Sequence, residues 1–161
     1  DMRAVYDALA PEMQERISKL VCEHSLIHSR ARLGFIEWTE AELEMMRPVR
    51  QALVRTHPSS QRKSVYISSH AGRVIGWTEP ESKLCLSDLT ELATQRAFVY
   101  AHEWTQYNLV MWDNRCILHR AREYDPSAVR DMRRTTVAGD ERTVMQPVYP
   151  SVAPQAVQAS N

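Results

Sequence analysis

The residues best suited to chemistry lie between positions 111 and 134. Met111-Trp-Asp-Asn-Arg-Cys-Ile-Leu-His119 joins two short apolar runs through Asp113 and Asn114, whose side chains favour turns by bonding nearby backbone amides. His119 then falls near the end of the second run. An imidazole facing inward there is either a hydrogen-bonded core residue or a metal ligand. Arg130 and Arg134 follow, and alternation along Arg130-Asp-Met-Arg-Arg-Thr-Thr-Val137 puts both on one face with Met132 between them. If that face points inward, two guanidiniums need anions, and no acidic residue on the face supplies one. Small carboxylates gripped in bidentate forks would meet the need. If it points outward, it is a solvated basic surface.

These side chains need a scaffold, and hydrophobic periodicity outlines one. From Ala10 and Pro11 the residues Met13, Ile17, Leu20, Val21 and His24 recur at helical spacing, with proline in the first turn. A second helix starts at Thr39, capped reciprocally with Glu42, and stops before Pro48. A third is expected from Thr78 to Ala93, with Leu84, Cys85, Asp88, Leu89 and Leu92 on one side. Between and after the helices the period shortens to two. Strands are expected at Ala52–Thr56 and Ser64–Ser68, joined by a hairpin loop over 57–63, and at Ala97–Trp104, Leu109–Trp112, Cys116–His119 and Arg130–Val137. Elements in blocks, without βαβ alternation, predict a β-rich α+β fold. Beyond Ala138 the periodicity fades into a Pro-, Gln-, Ala- and Ser-containing stretch, so 138–161 reads as a mobile tail.

Composition narrows the function classes. The 161 residues carry 20 basic and 20 acidic side chains, with 43% hydrophobic content, which fits one modest globular domain. Zero formal charge argues against nucleic acid as a partner, and the six arginines from Arg115 to Arg134 are half offset by Glu123, Asp125 and Asp131, leaving a net of only +3. No apolar run reaches a membrane span of about 18 residues, so the expectation is a soluble, cytoplasmic protein. Cys22, Cys85 and Cys116 are odd in number and lack CxxC spacing, so they read as buried, reduced thiols. His57 and His70 read as loop histidines, and His102 as a core histidine alternating with Tyr100 and Trp104. The four tryptophans are spread along the chain, which suits core and pocket wall.

Trp112-Asp-Asn-Arg-x-x-x-His119, with arginines at 130 and 134, resembles the C-terminal part of the taurine and 2,4-dichlorophenoxyacetate dioxygenases, which use iron(II) and 2-oxoglutarate. The likeness extends to Asp1-Met-Arg-Ala-Val-Tyr-Asp-Ala-Leu9, Val54-Arg-Thr-His-Pro58, Gly72, Ala93-Thr-Gln95, Phe98-Val-Tyr100, Trp104 and Arg133-Arg-Thr-Thr-Val137, which look like the phenoxyalkanoate branch. It implies a partial double-stranded β-helix, a cupin-like jelly roll with flanking helices, over 1–137. By the same resemblance His119 matches the second histidine of a two-histidine, one-carboxylate iron triad. Arg130 matches the residue that binds the distal carboxylate of 2-oxoglutarate, and Arg134 the one that takes the acidic group of a small carboxylate substrate. The implied reaction couples oxidative decarboxylation of 2-oxoglutarate by O2 to hydroxylation of that substrate.

The chain departs from the pattern at one decisive point. The family's first histidine and its carboxylate form His-x-Asp or His-x-Glu, and none of the six histidines here begins such a motif. In complete members that motif, and a threonine sharing the 2-oxoglutarate carboxylate, lie upstream of the segment matching Asp1. The opening Asp1-Met2 therefore reads as part of something longer, inactive alone, with a homo-oligomer of the full-length protein left open. The alternative is a non-catalytic jelly-roll remnant that binds small carboxylates or a protein partner through Arg130 and Arg134. A smaller departure is Tyr107-Asn108, where the family has Gly-Asp; Asn108 can take the left-handed conformation and keep the turn.

Overall fold

The computed structural model describes residues 1–139 and 144–148. Most of the tail expected over 138–161 lies outside these described residues. The described elements are α1 (Met2–Asp7), α2 (Pro11–Ser18), β1 (Val21–His24), α3 (Leu26–Ala31), α4 (Glu40–Met45), β2 (Val49–Ala52), β3 (Val54–Thr56), β4 (Lys63–Val65), β5 (Ala71–Val74) and α5 (Glu79–Ala93), followed by a 3-10 turn at Arg96–Phe98. No described helix is long and apolar enough to cross a membrane.

The helix starts follow from their caps. Thr39 accepts from Glu42 N while the Glu42 carboxylate reaches back to Thr39 N, as expected from the sequence. Thr78 and Glu81 form a second such box at the head of α5, where Pro80 occupies the first turn. Thr78→Ala is expected to cost about 1 kcal/mol, lowering the midpoint of thermal unfolding by about 2–4 °C. Calorimetry of the two chains side by side would check it.

Two small antiparallel sheets meet at Leu53. β1 is central in the first, flanked by β2 and β5; β3 and β4 form the second, pairing Val54 with Val65 and Thr56 with Lys63, the hairpin expected from the sequence. Leu53 N donates to Leu20 O at 2.9 Å and Leu53 O accepts from Tyr66 N at 2.7 Å, so this one buried residue hands the chain from sheet to sheet. Around it close Val5, Ile17, Cys22, Val65, Val74, Leu86 and Leu89. Helix α5 is fastened to β5 by the buried Ser82 Oγ, which accepts from Val74 N at 3.0 Å. All three cysteines are free and buried, and burial pushes the Cys22 thiol up to about 11. At Gly72 a Cβ would come within 3.0 Å of the His28 ring, which explains a glycine on that strand.

Several expectations are corrected. The stripe read as one helix through His24 breaks at Ser18, because Val21–His24 is bonded on both edges as the central strand, and this pairing overrides a pattern that also satisfies helical spacing. On α5 the buried side is Ser82, Cys85, Leu86, Leu89 and Ala93, so Asp88 and Leu84 point outward rather than into the core. The strands expected at 97–104, 109–112, 116–119 and 130–137 do not form among the described residues. A strand exists only where a neighbour completes its ladder, and no described strand pairs with these runs. Several of their apolar side chains are left in solvent: Leu109, Met111 and Val137 are each more than 85% exposed, whereas Cys116 is buried and Phe98 and Leu118 pack against the core. The turn before Leu109 survives by another route. Tyr107 takes the left-handed conformation at φ 68°, while Asn108 Oδ1 accepts from Thr105 N at 3.0 Å.

Candidate functional site around Asp113 and His119

Asp113 organises the turn that launches His119. Its Oδ1 accepts from Arg115 N at 2.8 Å and Arg115 Nε at 3.0 Å, and its Oδ2 accepts from Arg115 Nη2 at 2.8 Å. The Asp113 backbone carbonyl accepts from Cys116 N and Ile117 N, both at 3.1 Å. The Arg115 side chain first, then its backbone amide and His57, hold the Asp113 carboxyl far below the usual carboxylate range, against a smaller opposing effect of burial. Beyond the turn, Cys116 is buried, Leu118 packs against the core, and Cys116 O accepts from Met2 N at 2.9 Å. His119 then emerges into solvent with its ring 4.8 Å from that of Trp112, the planes tilted by 53°. Trp112 is itself steadied by Nε1 donating to Asn114 Oδ1 at 2.9 Å.

The three site residues expected from the sequence are not gathered by the described residues. His119, Arg130 and Arg134 are all exposed, and no hydrogen bond or ring contact joins them to one another. Arg130 lies over the Tyr124 ring, 4.8 Å from its centre. Because 130–137 is not a strand, the common face inferred from alternation is absent here. A cavity of about 250 Å³ lies elsewhere, between α2 and α5, lined in part by Leu9, Met13, Cys85 and Leu89.

Two arrangements were not foreseen. His57, read as a loop histidine, reaches Asp113 Oδ2 with its Nε2 at 3.1 Å, with only 10% of its side chain exposed. His57, Asp113 and Cys116 are also the one trio of metal-ligating side chains with donor atoms within 4.8 Å among the described residues. Those donors are already spent. Ser60 N donates to His57 Nδ1 at 3.2 Å, which leaves the ring proton on Nε2, aimed at Asp113, and the Asp113 carboxylate is engaged by Arg115. The trio is a hydrogen-bonded strut. The second arrangement is at His24, which is buried on β1 with its ring 5.4 Å from Tyr66, whose other neighbour is the Arg55 guanidinium at 3.5 Å. Burial foremost, then the charges of Arg55 and His70, push the His24 pKa down to about 4. A buried strand position in place of a helix stripe is what hid it. His102 matches its expected company more closely, with Trp104 edge-on at 4.6 Å and Tyr100 at 6.2 Å, though it is only half-buried.

Sequence and structure comparisons define the class. The family of taurine catabolism dioxygenase TauD, TfdA matches residues 1–136, and the chain belongs to it. Among its relatives is an alpha-ketoglutarate-dependent 2,4-dichlorophenoxyacetate dioxygenase of Cupriavidus pinatubonensis, 49% identical over 140 residues, covering 87% of this chain and 49% of that protein. An (S)-phenoxypropionate/alpha-ketoglutarate dioxygenase of Sphingobium herbicidovorans is 36% identical, covering 87% of this chain and 51% of its own length. The crystal structure of AAD-2 in complex with Mn(II) and N-oxalylglycine superimposes with a TM-score of 0.86 at 58% identity, covering 90% of this chain and 57% of that one. The chain thus spans about half the length of the curated relatives it matches.

Proposed function

We propose that residues 1–137 are the C-terminal part of the jelly-roll domain of an iron(II)- and 2-oxoglutarate-dependent dioxygenase that hydroxylates a small, phenoxyalkanoate-like carboxylate. In this reading His119 is one iron ligand, Arg130 binds the distal carboxylate of 2-oxoglutarate and Arg134 the acid of the substrate. The observation that carries it is the ordered family match across 1–136, which takes in Trp112-Asp-Asn-Arg115, His119 and both arginines. The names of the relatives, each a dioxygenase of a phenoxy acid, support the substrate class.

His119 suits one ligand position. Its ring is steadied by Trp112, and neither nitrogen makes a hydrogen bond among the described residues. It belongs to no group of three metal-ligating side chains there, and no His-x-Asp motif occurs in the sequence. The other ligands must then come from polypeptide outside this sequence, and the chain alone is inactive. Bound iron would supply the oxidising power. The guanidiniums would neutralise and orient two acids, each through charge-assisted, bidentate contacts.

The test separates the two arginines. In a chimera carrying the His-x-Asp half of the Cupriavidus relative ahead of this chain, Arg134→Ala is expected to raise KM for phenoxyacetates by roughly tenfold to a hundredfold while sparing that for 2-oxoglutarate. Arg130→Ala should do the reverse. Equal effects of both variants on both KM values would contradict the assignment.

A further inference from the structure

We infer that His57 is a positioning residue that fixes the direction of His119 by holding Asp113, an inference that rests on His119 being the iron ligand proposed above. The turn over 113–116 has two ends. Its far end is held by burial of Cys116 and by Met2 N donating to Cys116 O at 2.9 Å. At its near end the bonds from Arg115 to Asp113, two residues away, shape the turn. His57 attaches the shaped turn to a distant element. Its bond to Asp113 Oδ2 crosses 56 positions of sequence and ties the turn to the β3–β4 hairpin.

The hairpin is built to aim that bond. His57 N donates to Arg62 O and Gln61 N donates to His57 O, both at 2.8 Å, closing the loop on the histidine backbone. Ser60 N, donating to Nδ1, fixes the tautomer and the ring plane together. A donor shielded from solvent and directed at an ionised carboxylate makes one of the stronger hydrogen bonds available to a protein. With both ends of the turn anchored, the Trp112 and His119 rings, which lie on either side of it, keep their 4.8 Å contact, and the His119 ring keeps its bearing.

Amide hydrogen exchange on this chain tests the inference without iron or cosubstrate, so its failure is distinguishable from failure of the dioxygenase reading. His57→Ala is expected to speed exchange at the Arg115, Cys116 and Ile117 amides by at least about tenfold, with the Leu86 and Leu89 amides of α5 unchanged. The ring-current shift that Trp112 imposes on His119 should collapse at the same time. His57→Gln keeps an N–H donor near the Nε2 position, and should restore both the protection and the shift. Unchanged exchange and shift in His57→Ala would overturn the inference, as would an equal loss of protection in α5 or a failure of His57→Gln to restore the shift.

Discussion

Acidification from pH 7 to pH 4 is expected to remove up to about 3 kcal/mol of folding stability through His24 alone. The folded protein keeps this imidazole unprotonated down to about pH 4, because β1 buries it and the Arg55 and His70 side chains add repulsion. In the unfolded chain it titrates near the ordinary value of about 6.5. Above that value both states carry the same neutral ring, and the full stability is present. Between about 6.5 and 4 the unfolded state takes up a proton that the folded state refuses, so stability falls with pH and levels off below the folded value. Urea unfolding at pH 7 and pH 4.5 measures the loss. His24→Gln, which removes the titrating group, should flatten that part of the curve relative to the native chain. Curves of the same slope would show that His24 protonates in the folded state without penalty.

What the sequence discloses, and what it hides, follows from how far each determinant reaches. The Thr39–Glu42 box and the 54–65 hairpin rest on residues a few positions apart, and both appear in the structure where they are expected. Val21–His24 satisfies helical and strand spacing alike, and pairing with β2 and β5, tens of residues away, decides between them. The runs 97–104, 109–112, 116–119 and 130–137 read as strands from the sequence but pair with no strand among the described residues, so pattern alone produces no ladder. The site divides in the same way. The motif from Trp112 to His119 is legible because it is contiguous, whereas the His57–Asp113 bond joins distant loops and needed the folded chain to appear. An Asx-forming aspartate whose second oxygen seeks a partner, and a histidine closing a hairpin loop, were signals only in combination.

Iron binding carries the largest effect of all, since it is expected to be absent or present. Three protein ligands hold iron(II) in a facial triad, and in the function proposed above this sequence offers one of them, His119. Two guanidiniums cannot replace a carboxylate and an imidazole, because they donate hydrogen bonds and carry no lone pair to give a metal. The most direct measurement is the visible charge-transfer absorption of ferrous ion with 2-oxoglutarate, recorded without oxygen. This chain alone should give none. The chimera with the His-x-Asp half of the Cupriavidus relative should give the band, and His119→Ala in that chimera should abolish it; absorption from the isolated chain, or a band that survives loss of His119, would contradict the account.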